Sequence, residues 1–429
     1  MSFARTLATF KGCKKKRYED AYSNLMFTRT RLEDEAKVTV FVKYEKTDRT
    51  SKLDPVPRVI SPRSPMFNLR IARYLRSVED RIYEALGDLF GHKTVMKGIT
   101  TTQTAKLIEE KWNMFNDPVA VGLDASRFDQ HVSRAALEFE HSIYLMCFRH
   151  SKHKKKLAKL LSMQLENRCA GYVPDGSVKY VTDGTRMSGD MNTSLGNCVL
   201  MCVMIKAYEL HCGVKLQLAN NGDDCVVFME KKDLAKFSTG LDTWFLKLGF
   251  NMVVEQPSRS LEEIEFCQTR PVFDGNEWVM CRNPWSAIAK DCVLAKNPDG
   301  VNDNYLQQWM GAVGMGGMSL TGGLPVFQSF YRMMQRSDLS VRRGRKGRSG
   351  SQGRVKRIDV REMLPWYMRN LGGGKRVEGV VTPSARSSFY FAFGITPDEQ
   401  IALEEFYDDQ KVSLSYGEWH PRAIFPSEV

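Results

Sequence analysis

Alternation of apolar and polar residues predicts a strand over residues 38–43 (VTVFVK) and a second, shorter one over 58–60. Apolar residues at helical spacing predict a helix over 68–86, stopped by Gly87. The continuous apolar run Val119–Leu123 predicts a buried strand, followed by a helix over 133–150. A further helix is predicted over 190–210, with Gly213 placed to close it in the left-handed conformation. Two short apolar runs, 215–218 and 225–228, flank Asn220-Asn221-Gly222-Asp223, the chemistry of a tight β-hairpin. A helix over 233–248 with Gly249 behind it completes the series. Strand, helix, helix, hairpin, helix is the order of an α+β core, not of repeated βαβ units.

At 429 residues the chain must form several domains or one large subdivided enzyme, which excludes a peptide-sized module. Its 42% hydrophobic and 26% charged residues match a globular protein and exclude wholesale disorder. No apolar run approaches the roughly 20 residues of a membrane span. The stretch from Cys198 to Ile205 is among the longest and stops at Lys206. The first residues carry no apolar core of a signal peptide, so a cytosolic protein is expected. The ten cysteines follow no disulfide or zinc spacing and read as reduced thiols; even Cys198, Cys202, His211 and Cys212 read as packing.

The net charge of +12 points to a polyanionic partner, nucleic acid before membrane. It is unevenly placed. Residues 336–357 are rich in Gly, Ser and Arg, carry nine Lys or Arg and one Asp, and hold +8, leaving +4 on the other 407 residues. This segment is expected to be a mobile basic arm.

Four features carry chemistry. Gly222-Asp223-Asp224 sets two carboxylates side by side on a turn, where their repulsion is relieved by a divalent cation or by protonation. Asp124 ends an apolar strand and Asp129 follows five residues later, giving one carboxylate for a shared metal pair and one for a polar substrate group. In Ser188-Gly189-Asp190-Met191-Asn192-Thr193, the polar residues Asn192, Thr193, Gly196 and Asn197 form one helix stripe, able to lie against a sugar or a base. Upstream, Lys43, Lys46, Arg49, Lys52, Arg58 and Arg63 stand among prolines in a cationic loop fit to clamp a triphosphate. Each has a plainer reading when taken alone: a turn, a helix cap, helix packing or solvated charge. Their occurrence together and in order is what separates them from chance.

These residues resemble the ordered motifs of viral RNA-dependent RNA polymerases of the tombusvirus-like group, with its umbravirus relatives, over most of the chain. Phe41 to Lys46 and Pro57 to Arg63 resemble the fingers motif that holds the incoming triphosphate. Asp124 and Asp129 match the first palm motif, Ser188, Gly189, Thr193 and Asn197 the second, and Gly222, Asp223 and Asp224 the third. Leu248 to Met252 with Glu255 resembles a fourth, Phe266 to Pro271 a fifth at the palm–thumb junction, and Ser388 to Pro397 a thumb segment.

The resemblance implies a right hand: fingers over 1–115, palm over 116–149, a fingers insertion over 150–187, palm again over 188–270, and thumb with C-terminal region over 271–429. The palm would be an antiparallel sheet flanked by helices. Asp124, Asp223 and Asp224 would be catalytic and would bind two Mg²⁺ ions, with Mn²⁺ a substitute. Asp129, Thr193 and Asn197 would sense the ribose 2′-hydroxyl. Ser188 and Gly189 would lie in a flexible loop before that helix. Arg58 and Arg63, with Lys43 and Lys46, would bind NTP phosphates, and Lys247 is a candidate for protonating pyrophosphate.

The implied partners are template and nascent RNA, NTPs, a viral replicase protein and a membrane-associated replication complex in the host cytoplasm. In the resembled group an upstream replicase region supplies membrane attachment, yet here the fingers motif begins at Phe41, so a truncated chain or the unique part of a readthrough or frameshift product is expected. A reverse transcriptase shares the palm carboxylates but uses a bulky residue to block the 2′-hydroxyl, where this chain has Asp129 and Asn197. A non-catalytic RNA-binding protein would account for the charge but leave the carboxylates without a purpose.

Overall fold

A computed structural model describes residues 1–43, 45–46, 56–294, 303–336, 376–410 and 412. Arg49, Lys52 and the basic arm, apart from Arg336, lie outside the described residues. The chain divides into two compact units, one of Met1–Tyr44, Asp54–Lys97 and Lys111–Arg259, the other of Glu45–Leu53, Gly98–Glu110 and Ser260–Val429.

The first unit is built on strands β1 (Val38–Val42), β2 (Val59–Ile60), β3 (Pro118–Ala125), β4 (Glu166–Val173), β5 (Gly176–Asp183), β6 (Gln217–Asn220), β7 (Cys225–Glu230) and β8 (Met252–Val254). One sheet has the order β2-β1-β4-β5, with β1 and β4 parallel and the outer pairs antiparallel. The other, β6-β7-β3-β8, is antiparallel throughout. In β3, Val119, Ala120, Val121 and Leu123 are almost wholly buried, since this central strand has neighbours on both edges. Continuous apolar sequence is what such a strand requires.

Behind this core lies the helix Thr193–Cys212, closed by Gly213 at φ 61° as its sequence predicts. Leu195, Cys198, Val199, Met201, Cys202, Ile205 and Tyr208 are buried along it. Each large aliphatic side chain so buried contributes about 1.5–3 kcal/mol. By length and composition this helix could cross a bilayer, but 61% of its apolar window is packed inside the core. Lys206 escapes by standing over the Phe90 ring and pairing with Glu209.

Two predicted helices are interrupted. The segment expected over 68–86 folds as Pro65–Leu75 and Glu79–Asp88. Ser64 caps the first, accepting from the Phe67 N–H, and Pro65 occupies its first turn. At the break the chain tightens, the Ser77 and Val78 N–H groups donating to the Tyr74 and Leu75 carbonyls three residues back, with the Ser77 hydroxyl on the Tyr74 carbonyl as well. Gly87 lies inside the second helix and does not end it. The helix expected over 233–248 is split into Leu234–Ser238 and Leu241–Lys247, because Thr239 is extended and Gly240 takes φ 77°. The β4–β5 hairpin has no counterpart in the sequence reading: nearly every β5 residue is exposed, so apolar alternation is weak there.

In the second unit, β9 (Thr269–Phe273) and β10 (Trp278–Arg282) form an antiparallel hairpin. Helices Pro284–Asp291, Asp303–Thr321, Phe327–Arg336, Pro383–Phe393 and Pro397–Asp409 accompany it. Phe327, Phe330, Tyr331, Phe389 and Tyr407 lie in one apolar core there. Asp291 is fully buried and is held by Arg282 at 2.6 Å and by the Tyr331 hydroxyl at 2.7 Å.

Candidate active site

The second sheet brings together the carboxylates that the sequence separates by about a hundred residues. Leu123 pairs with Cys225, so Asp124, the next residue of β3, emerges beside the turn that leads into β7. Val119 to Leu123 are buried while Asp124 is exposed, so the apolar strand anchors the carboxylate it presents to solvent.

The β6–β7 turn is rigidly built. The Asn220 side chain accepts from the Gly222 N–H at 3.1 Å and donates to the Gly222 carbonyl at 2.7 Å. The Asn221 N–H donates to the Asp224 carbonyl at 2.9 Å, and Lys97 Nζ donates to the Asn221 carbonyl at 3.0 Å. Gly222 adopts φ 99°, open to glycine and costly for other residues. Asp223 and Asp224 are thus exposed on a fixed turn.

A fourth carboxylate arrives from Glu255, beyond β8. Its N–H donates to the Gly122 carbonyl at 2.9 Å, and its side chain lies over Gly122, where a Cβ would fall 1.9 Å from Glu255 Oε2. The thiol of Cys225 registers all four groups. Its pKa is raised first by complete burial, then by the negative charges of Asp224, Asp223, Asp124 and Glu255.

These hard oxygen donors fit a divalent cation such as Mg²⁺ or Mn²⁺ in their chemistry. Among the described residues, however, no three His, Cys, Asp or Glu side chains close into a ligand cluster. The fit is one of donor type and not of finished geometry.

Asp129 and Asn197, predicted to cooperate, are joined directly: Asn197 Nδ2 donates to Asp129 Oδ1 at 2.9 Å. That bond fixes the amide orientation and leaves Asn197 Oδ1 buried without a hydrogen-bond partner. Asp129 has its pKa raised, chiefly by burial and further by Asp223, against the hydrogen bond from Asn197 and the charges of Arg186 and Arg58. The sugar-sensing candidates therefore lie within electrostatic reach of the Gly-Asp-Asp turn. Thr193 is occupied differently, its hydroxyl directed at the carbonyls of Met187 (2.8 Å) and Asp190 (3.1 Å).

Ser188 and Gly189 are tied to the Pro57–Arg63 segment. Ser188 Oγ accepts from the Ser61 N–H at 3.1 Å, and a Cβ on Gly189 would meet Pro62 Cα at 2.4 Å. Asn68 holds the same loop, accepting from the Met191 N–H and donating to the Gly189 carbonyl.

The described residues of the basic loop separate into three groups. Lys43 and Arg58 stand together at the end of the β1–β2 ladder, where the Lys43 N–H donates to the Arg58 carbonyl at 2.8 Å. Arg63, expected to meet phosphate, is buried. Its Nε donates to Asp190 at 2.8 Å, and its other nitrogens donate to the Ala36 carbonyl and to Asn167. A guanidinium so enclosed orients the motif loop and offers no free face to a triphosphate. Lys46 belongs to the second unit, where its amine donates to the Lys290 carbonyl. Its pKa is lowered by burial, with Asp291 opposing. Lys247 is an exposed residue at the end of its helix.

A buried polar chain behind the site was not foreseen. Glu140 accepts from Arg186, from the Tyr144 hydroxyl at 2.7 Å and from Asn192 at 2.9 Å. Gln164 donates to Asn192 at 2.8 Å and to Asp190 at 3.0 Å, and Asp190 meets Arg63. The only trace in the sequence is an acid, Glu140, one helical turn before Tyr144 in a helix otherwise buried on its apolar side.

The family model of viral RNA-dependent RNA polymerases matches residues 1–415, and the chain belongs to that family. Within it, the chain is 57% identical over 421 residues to the RNA-directed RNA polymerase of Oat chlorotic stunt virus (isolate United Kingdom), covering 97% of this chain and 55% of that protein. It is 44% identical over 408 residues to the enzyme of Tobacco necrosis virus (strain A), covering 95% and 54%. With that of Tomato bushy stunt virus (strain Cherry) it shares 42% over 424 residues, covering 98% and 48%. The resemblance to the tombusvirus-like group therefore holds along nearly the whole sequence. The chain spans about half the length of the curated relatives it matches.

Proposed function

We propose that this chain carries the RNA-copying activity of a positive-strand RNA virus, joining NTPs to an RNA 3′ end under the direction of an RNA template. The observation that carries the reading is the β3–β7 register, which sets Asp124 beside the rigid Gly222-Asp223-Asp224 turn. Asp124, Asp223 and Asp224 would hold Mg²⁺ or Mn²⁺ ions, which when bound supply activation of the 3′-hydroxyl and neutralisation of the leaving pyrophosphate.

The remaining work falls to the protein. Arg58 and Lys43, neighbours at the end of β1 and β2, would meet triphosphate oxygens, with Arg bidentate and Lys as a point charge. The orphan acceptor of Asn197, fixed by its bond to Asp129, takes a hydrogen bond from a ribose 2′-hydroxyl. A deoxyribose leaves that acceptor unpaired, the arrangement by which a polar site rejects an analogue lacking one hydroxyl. The right-hand division into fingers, palm and thumb belongs to the same reading. So do RNA as partner, a viral replicase protein, and recruitment to membrane-associated replication compartments in the host cytoplasm.

Purified protein with a short RNA template, labelled NTPs and Mg²⁺ gives the test. Incorporation is expected, and Asp223→Ala or Asp124→Ala should abolish it while RNA binding survives. Undiminished incorporation by either variant would overturn the mechanism.

A further inference from the structure

The buried chain behind the site ends at a group with unfinished bonding. Arg186 and Glu140 are both almost wholly enclosed and form an ion pair in the first unit's interior. The Arg186 peptide N–H donates to the Asp129 carbonyl at 2.9 Å, so the two residues are coupled through the backbone. The guanidinium also acts on the Asp129 carboxylate electrostatically. Its Nε, however, is buried without a hydrogen-bond partner. Asn197 Oδ1, on the amide that donates to Asp129, is in the same state. Two buried polar atoms of opposite kind, each on a residue bonded to Asp129, thus lack a partner, and native interiors leave few such atoms without a reason.

The Glu140 side of the pair is fixed from three directions. Tyr144 and Asn192 donate to it alongside Arg186, and Asn192 is the residue that opens the helix carrying Asn197. Gly196, the neighbour of Asn197, lacks the Cβ that would fall 2.4 Å from Glu140 Oε1. Glu140 therefore sets both the Arg186 fork and the start of the Asn197 helix.

We propose that Arg186, held by Glu140, is a positioning residue for substrate selection: it sets the Asp129 carboxylate at which a ribonucleotide is told from a deoxyribonucleotide. The proposal rests on the reading of Asp129 and Asn197 as the ribose sensors. Arg186 touches neither substrate nor reacting atoms and acts through Asp129 alone. Its charge offsets the burial of that carboxylate.

Single-nucleotide addition on an RNA primer–template by the whole chain, with kcat/KM measured for an NTP and its dNTP, tests this. Removing one partner alone would strand a buried charge, so the main variant is Glu140→Gln with Arg186→Met. The glutamine carbonyl keeps an acceptor for Tyr144 and Asn192, and the thioether fills the guanidinium's space. With Tm preserved, the NTP-to-dNTP ratio is expected to fall about tenfold or more, since hydrogen-bonded rejection is the part lost. Arg186→Lys keeps the charge but not the fork, should fold even where the pair variant does not, and is expected between the two.

A merely structural pair would leave the ratio unchanged in folded protein. Ratios for both variants within about twofold of the parent, far below the discrimination a hydrogen-bonding site supplies, would overturn the proposal. Asn197→Ala separates the two layers. If it too leaves the ratio unchanged, the ribose-sensing reading fails and the proposal with it. If it lowers the ratio while the Arg186 variants do not, only the role of Arg186 falls.

Discussion

Replacing Gly196 by alanine opposes two effects of known size. Gly196 lies in the first turns of the helix Thr193–Cys212, and intrinsic propensity favours alanine over glycine in a helix by about 1 kcal/mol. The added Cβ would stand 2.4 Å from Glu140 Oε1 and 2.5 Å from both Cδ and Oε2, distances that no relaxed contact adopts. Glu140 cannot swing away at little cost, because it is fully buried and bonded to Arg186, Tyr144 and Asn192. Displacing it approaches breaking a buried ion pair, a loss of about 3–5 kcal/mol. The clash outweighs the propensity, and Gly196→Ala should be destabilising by about 2–4 kcal/mol. For a unit of this size that corresponds to a fall in Tm of about 4–16 °C.

Thermal unfolding followed by circular dichroism measures it. The combination of Gly196→Ala with Glu140→Ala provides the internal check. Once the carboxylate is gone the methyl group has room, so the double variant should be no less stable than Glu140→Ala alone, a large non-additivity. An unchanged or higher Tm for Gly196→Ala, or additive losses in the double variant, would refute the reasoning.

Two further predictions concern pH and salt. His141 is buried and its pKa is lowered to about 4, chiefly by desolvation, so the unfolded chain binds the extra proton first and stability is lost as pH falls from about 6.5 toward 4. His141→Gln should remove up to about 3 kcal/mol of that dependence in chemical denaturation across this window, and an unchanged slope would refute the assignment. Deleting the basic arm within 336–357 should flatten the salt dependence of RNA binding by several units in the log–log slope while leaving nucleotide addition intact; an unaltered slope would place the electrostatic affinity elsewhere.

The sequence alone determined the features that depend on neighbours along the chain. Strand β3, the hairpin at Gly222, the Gly213 helix end and the identities of the carboxylates are local patterns, and each was legible because periodicity, turn chemistry and residue type act over a few residues. The pairing of Asp129 with Asn197 was legible only through the resemblance, which stands in for the distance between them.

Tertiary structure decided the rest. The helix breaks at Ser77 and Gly240 arise where packing and local hydrogen bonds override a continuous apolar pattern. A list of basic residues could not show that Arg63 is enclosed by Asp190, Asn167 and Ala36 while Arg58 remains exposed, because charge is written in the sequence and burial is not. Glu140 and Arg186 lie 46 positions apart and become a pair only when a helix and a loop close on each other around Gly196. Periodicity reports which face of an element is apolar. It carries no information on which buried polar group will find which partner, and in this protein that choice links the basic segment to the residues proposed to read the sugar.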